Sequence, residues 1–391
     1  MYNHYPVVLL HGMFGFGQQQ STENVLPYFG LWKTPVRKMF DAEGVHTVAP
    51  SLGPFTGAWD RACEAYAQLV GGTVDYGKAH AEKYGHARYG RTYEALLPEW
   101  GTTDENGDII KANLISHSFG GVTSRMLTEL LINGSEEERI ATDPEDLSPL
   151  FAGGHDWVHS ITALAAPHNG MTSVEGKVGA AMTQICRGIC DFMNVLDATP
   201  LHTIYSLELD HWGITPPPGR FTNPLAALKD KEIMEYLTGE DNIIYDLTLV
   251  GAAKRNRQIP MQDHVYYFSH YGKRTVHVPV LDWELPKLKS FPLLNVLGFF
   301  MGIQKDGCPD KSWHANDMVI NSCSALHPDG TPARDVTAAT QDFKPGIWNV
   351  FPVEPDMDHM SFLGWTQTKA EVEQFYHDIY NRVSNLPTLN K

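Results

Sequence analysis

Ser118, Asp317 and His359 occur along the chain in an order that suits acyl transfer, with a hydroxyl nucleophile, an orienting acid and an imidazole base. Ser118 lies within Ser116-His117-Ser118-Phe119-Gly120, followed by Gly121. Asn113-Leu114-Ile115 before it reads as a short buried strand. After it, Val122, Met126, Leu127, Leu130 and Leu131 recur on one face at helical spacing. A serine on a sharp turn between strand and helix is a nucleophile elbow: small neighbours allow the turn, and the helix N-terminus aims N–H groups at developing negative charge. Ser116 stands where the motif usually carries its first glycine, and a small residue still meets the steric need. Taken alone, an S-x-S-x-G run is more often an ordinary loop.

The other two side chains sit where such a serine needs them. Asp317 follows Trp313-His314 and precedes the apolar pair Val319-Ile320, so it reads as a loop residue between core elements. Ile347-Trp348-Asn349-Val350-Phe351 reads as a strand stopped by Pro352, and a helix with Val372, Phe375, Tyr376, Ile379 and Val383 on one face closes the chain. His359 lies on the loop between them. As general base it would take the Ser118 proton, with Asp317 fixing the imidazole tautomer. Asp356 and Asp358 are rival acids by sequence proximity. The tetrahedral oxyanion needs two donors, read here as the backbone N–H groups of Phe119 and of Met13, in the loop after the first strand. His117 lies next to Ser118, but adjacent side chains on an elbow point apart, so it reads as structural; His11 and His168 read as packing or hydrogen-bonding histidines near the site.

Strand-like runs at Val7-Leu10, His46-Ala49, Asn113-Ser116, Ser160-Ala165, Val265-Ser269 and Ile347-Phe351 alternate with helical stretches. That rhythm predicts an α/β sheet with a mainly parallel core. With the serine elbow and the order of the three residues, the expectation is an α/β-hydrolase fold, a mostly parallel central sheet with helices on both faces. Residues from about 54 to 100 and from about 200 to 260 interrupt it, the second around Pro216-Pro217-Pro218-Gly219, and read as insertions. The three reactive residues must converge from distant positions, so one domain over residues 1–391 fits better than two. A formal charge of −16 argues against nucleic acid or an anionic membrane as main partner. No apolar stretch is long enough to span a bilayer. The Val7-Leu10 strand begins close to Met1, which leaves no room for a signal peptide and fits an intracellular protein or a mature form. The five cysteines suggest no disulfide framework.

Leu9-Leu10-His11-Gly12, the run from Trp59-Asp60-Arg61-Ala62-Cys63 on to Tyr76-Gly77, His86-Ala87-Arg88, Gly90-Arg91-Thr92-Tyr93, Ala166-Pro167-His168, Leu209-Asp210-His211-Trp212-Gly213 and Asn316-Asp317 closely resemble the thermostable secreted lipases of Bacillus and Geobacillus. The resemblance spans roughly residues 6 to 385. It implies an extracellular lipase, against the cytoplasmic alternative that composition leaves open. That family usually carries Gln where Phe119 stands and Phe where Met13 stands, changes that spare backbone donors but alter the acyl pocket. It also implies a structural zinc held by Asp60, His80, His86 and Asp210, two neutral imidazoles and two carboxylates. His80 and His86 are six apart, about 120° around a helix, so the chain must turn between them, for which Gly85 is suited. Trp212 would add an apolar wall. The family's calcium site uses acids just after the catalytic histidine. Ser361 to Gln367 carries none here, so calcium is expected to be absent. Residues 172–196 carry Val174, Val178, Met182, Ile185, Ile189, Phe192, Met193 and Leu196 at helical spacing, and the resemblance makes this a lid over the acyl pocket.

The expected activity is that of a serine carboxylester hydrolase, a lipase or esterase acting on water-insoluble or small esters, with zinc structural. The alternatives are a zinc-dependent hydrolase and a non-catalytic binding protein on the same scaffold. Four protein ligands close a zinc site, whereas catalysis needs an open position. Acyl-chain length and oligomeric state are not legible.

Overall fold

The computed structural model describes residues 3–199, 204–216, 230–287 and 292–388. Pro217, Pro218 and Gly219 of the proline run lie outside them. The strands are β1 (Val7–Leu10), β2 (Thr47–Val48), β3 (Gly72–Asp75), β4 (Tyr89–Tyr93), β5 (Ala112–His117), β6 (Val158–Leu164), β7 (Tyr266–His270), β8 (Thr275–Val278), β9 (Trp283–Pro286), β10 (Ala333–Asp335) and β11 (Trp348–Val350). Seven of them form one sheet in the order β10-β11-β7-β6-β5-β1-β2, with every pairing parallel.

Every residue of β1, β5, β6 and β7 is buried, which is why β1 reads as a continuous apolar run rather than an alternating one. Alternate side chains still serve opposite layers. Val8 and Leu10 join the core under the Ala58–Val70 and Phe119–Asn133 helices. Val7 and Leu9 join the one under the Val36–Ala42 and Lys369–Ser384 helices. A parallel sheet covered on both faces is the α/β architecture that the strand rhythm predicts.

All six expected strands lie in the sheet. The seventh, β10, has two of its three residues exposed, so it has no apolar pattern to announce it. The first interruption supplies the Ala58–Val70 helix, the antiparallel β3–β4 hairpin and the Lys78–Tyr84 helix, none of which joins the main sheet. The expected lid segment is helical over Gly176–Asp197. Its most buried side chains are Cys186, Cys190, Asn194 and Asp197, while Ile185 and Phe192 are 57% and 63% exposed. The helix therefore shows apolar groups to solvent as well as to the core.

Candidate active site and metal cluster

β5 ends at His117 and the following helix begins at Phe119, which leaves Ser118 as the single residue of the turn. Its φ of 57° is in the left-handed region that side chains other than glycine rarely adopt. The Ser118 N–H donates to the Leu164 carbonyl at 2.8 Å and ties the elbow to β6. Close packing explains the small residues. A Cβ on Gly120 would lie 2.1 Å from the Leu10 carbonyl oxygen, and one on Gly12 would lie 2.6 Å from Ser118 Cβ. Ser116 is fully buried, and its hydroxyl donates to the Thr162 carbonyl at 3.2 Å, a bond glycine would not make.

Gly120→Ala is a direct test of this packing. The obstructing atom is backbone, so β1 itself must shift. The expected cost is about 1–3 kcal/mol, read as a lower urea midpoint with an unchanged slope.

His359 is 5% exposed, and its Nδ1 lies 2.9 Å from Asp317 Oδ2. Asp317 Oδ1 accepts the N–H groups of Val319 and Ile320 at 3.0 and 2.7 Å. The His359 N–H also donates to the Asp317 carbonyl at 2.8 Å. With Nδ1–H on the carboxylate, Nε2 is left able to accept a proton. Of the rival acids, Asp358 caps the short helix that His359 opens, accepting from Ser361, and Asp356 pairs with Lys287 at 3.0 Å. His117, beside Ser118, stacks obliquely on His359 with ring centroids 4.5 Å apart. The elbow and the Asp317–His359 pair are thus brought together.

Phe119 is the first residue of its helix, so its N–H has no intrahelical partner. Met13 follows Gly12, which packs on Ser118. The fully buried Arg61 steadies this loop. It donates from Nε to Thr123 Oγ1 at 3.0 Å, from Nη1 to the Gly53 carbonyl at 2.6 Å, and from Nη2 to the His11 carbonyl. His11 accepts the Leu52 N–H on Nε2 at 3.0 Å, and His168 packs against Trp348 at 4.5 Å.

Nearby, the Tyr28 N–H donates to Glu23 Oε2 at 2.8 Å. Burial lifts the Glu23 carboxyl from 4.5 to about 7, despite that hydrogen bond. Between these two values the folded protein holds a proton that the unfolded chain has lost. Stability therefore falls as pH rises from about 4.5 to about 7, by up to roughly 3 kcal/mol at this site. Glu23→Gln is expected to be the more stable protein at pH 8 and nearly equal to the parent at pH 4.5. A gain independent of pH would contradict this assignment.

Asp60, His80, His86 and Asp241 each offer one donor atom, and these four atoms lie within 4.8 Å of one another. The Lys78–Tyr84 helix ends on Gly85 at φ 82°, which swings His86 back toward His80, the turn that the spacing demands. The His86 Nδ1–H donates to the Ala87 carbonyl at 2.9 Å, so Nε2, 3.3 Å from Asp241 Oδ2, is the nitrogen turned into the cluster. Asp60 Oδ1 and His86 Nε2 are buried and make no well-formed hydrogen bond, their polar neighbours being His80 Nε2 and Asp241 Oδ2, each at 3.3 Å, so both atoms could serve a cation. Burial alone would lower the His80 pKa, but Asp241 and Asp60 outweigh it and raise it to about 10. The residues present fit a divalent cation.

Asp210 is not among them, which corrects the sequence assignment. Its Oδ1 accepts from Arg91 Nε at 2.9 Å and Nη2 at 2.8 Å, so the carboxylate is engaged by a guanidinium. Asp241, just before the helix that Asn242 caps, takes its place. The same stretch does reach the cluster through its other residues: His211 Nε2 lies 3.1 Å from Asp60 Oδ2, and Trp212 lies against His86 at 4.7 Å. Trp59, which the sequence reading passed over, stacks on His80 at 4.9 Å.

Fold and site define an α/β-hydrolase with a serine elbow, a buried acid–imidazole pair and a separate cluster of imidazoles and carboxylates that could hold a cation. Residues 3–389 match the family described as "Lipase-like, C-terminal domain", and the chain belongs to that family. Lipase 2 of Staphylococcus aureus (strain MSSA476) is 35% identical over 387 residues, covering 97% of this chain and 54% of that protein. The lipase of Staphylococcus epidermidis (strain RP62A) is 32% identical over 387 residues, covering 96% of this chain and 53% of that protein. The chain spans about half the length of these curated relatives. Among solved structures, Staphylococcus hyicus lipase aligns with a TM-score of 0.84 at 30% identity, over 98% of this chain and 96% of that one. Lipase 1 from Pelosinus fermentans aligns with a TM-score of 0.80 at 33% identity, over 98% of this chain and all of the other. The family is thus one of bacterial lipases.

Proposed function

We propose that the chain is a serine carboxylester hydrolase, a lipase or esterase, that works through an acyl-enzyme. The observation that carries this reading is the Asp317–His359 hydrogen bond delivered beside a serine held at φ 57°. Ser118 Oγ attacks the ester carbonyl carbon as His359 Nε2 takes its proton. The C–O bond then breaks, and the alcohol leaves with that proton. Water, deprotonated by His359, releases the acid and restores Ser118. The N–H groups of Phe119 and Met13 serve the oxyanion. The relatives named as lipases support a lipid-like ester, and so does a Gly176–Asp197 helix that carries exposed Ile185 and Phe192 and acts as the lid.

The metal is zinc, held by Asp60, His80, His86 and Asp241. Two imidazoles and two carboxylates suit zinc, and with all four positions taken by protein it joins the two insertions rather than activating water. The finer likeness to the thermostable lipases of Bacillus and Geobacillus, secretion, and a single catalytic unit over residues 1–391 belong to the same reading. Among the described residues no helix is long and apolar enough to cross a membrane.

A serine-directed phosphonate ester tests the class. One adduct per chain on Ser118, with loss of p-nitrophenyl ester hydrolysis, is the expected result. Hydrolysis that survives the phosphonate but stops with a chelator would replace this reading with a metal-dependent one. No hydrolysis from acetyl to palmitoyl esters would leave a binding protein.

A further inference from the structure

A run of hydrogen bonds passes beneath the site through two residues that the acyl-transfer scheme leaves unused. The Gly12 N–H donates to Tyr28 Oη at 3.1 Å. Tyr28 Oη lies 2.8 Å from His117 Nδ1, and His117 Nε2 lies 2.9 Å from the His359 carbonyl oxygen. Tyr28 is 8% exposed and His117 is 1% exposed, so water has little access to these bonds.

The proton positions follow by elimination. A carbonyl oxygen only accepts, so His117 Nε2 carries a hydrogen. Tyr28 Oη already receives the Gly12 N–H, and it has one hydrogen of its own to give. In a neutral His117 the Nδ1 is then bare, and that hydrogen goes to it. The neutral ring is locked in one tautomer. Burial, reinforced by the neighbouring His359, pushes its pKa well below the ordinary histidine range, which agrees with the neutral form. Every hydrogen in the run points the same way, from Gly12 toward His359, so the bonds polarise one another.

The run touches every moving part of the reaction. Gly12 precedes Met13, the oxyanion donor; His117 precedes Ser118; and the far end is the backbone of the general base. We propose that Tyr28 and His117 are positioning residues that set the oxyanion loop and the His359 backbone in register across the Ser118 elbow. The proposal rests on Ser118 being the nucleophile. Without the Tyr28 hydroxyl, the Gly12 N–H loses its acceptor and His117 is free to change tautomer, which releases the His359 carbonyl. The loss falls on the geometry of the transition state and not on acyl binding.

Kinetics with p-nitrophenyl butyrate, well below the melting temperature, together with long-range 1H–15N spectra of the imidazoles, test it. Tyr28→Phe is expected to lower kcat by about ten- to a hundred-fold with KM within about two-fold. His117 is expected to be protonated on Nε2 in the parent and mixed in the variant. His117→Gln, which keeps a donor and an acceptor, should retain roughly ten-fold more kcat than His117→Leu. That comparison decides the matter if Tyr28→Phe does not fold. A purely structural role would lower the melting temperature and leave kcat alone. A Tyr28→Phe kcat within two-fold of the parent, Gln no better than Leu, or a His117 protonated on Nδ1 would each overturn the relay while Ser118→Ala is inactive. A Ser118→Ala variant with the parental rate would overturn the nucleophile and the relay's catalytic role together.

Discussion

Ser118→Ala is expected to lower kcat by roughly 10⁴-fold or more while the protein stays folded, because the residual rate comes only from binding and the oxyanion donors. Alanine adds no atom at the crowded elbow, so the melting temperature should barely move. His359→Ala should cost a similar order, and the two together little more than either alone, since they act as one unit. Asp317 distinguishes the acids. Its Oδ2 holds the His359 Nδ1–H and its Oδ1 accepts two backbone N–H groups. Asp317→Asn should therefore impair turnover by misplacing the imidazole. Asp356→Asn should leave kcat near the parent, because that carboxylate faces Lys287. Asp358→Asn should lower stability more than rate, because it removes a cap. An active Asp317→Ala beside an inactive Asp356→Ala or Asp358→Ala would refute the acid assignment.

The second large effect is on stability. An ion at a thousand times its Kd adds about 4 kcal/mol to the folded state. With about 2.1 cal/mol/K of unfolding entropy per residue over 391 residues, removing it should lower the melting temperature by about 5 °C or more. Turnover at low temperature should change by less than about three-fold, since the ion supplies no nucleophile. Metal analysis is expected to give about one zinc per chain for the parent, none for His86→Ala or Asp241→Ala, and the parental value for Asp210→Ala. A protein without tightly bound metal, or an Asp241→Ala variant with unchanged metal and melting point, would remove the site.

Much of this was legible because it is local. The elbow announces itself through small residues between a strand and a helix, and a strand buried on both faces shows as an unbroken apolar run such as Val7-Leu10. Gly85 signalled the turn that brings His86 round to His80. What sequence could not supply was the partner chosen across space. Asp210 and Asp241 are both acids in the second insertion, and only the fold reveals that Arg91 occupies the first. In the Gly176–Asp197 helix the apolar spacing is real, but only the fold reveals that neighbours bury the face of Cys186 and Cys190 and leave Ile185 and Phe192 exposed. Tyr28 gave no signal and His117 read only as structural, because their pairing is a contact across 89 residues.

Asp60 and Arg61 are consecutive on one helix, yet they serve different masters. Asp60 faces the metal cluster, and Arg61 grips the carbonyl of His11 at the root of the oxyanion loop. Consecutive side chains on a helix leave its axis about 100° apart, so the rigid Ala58–Val70 rod is a shared shaft between two rooms. If the cluster holds its proposed ion, heat that frees the ion would also loosen this first turn of the helix, and the loop that Arg61 grips would lose its anchor in the same event. Thermal inactivation and metal release then have one clock.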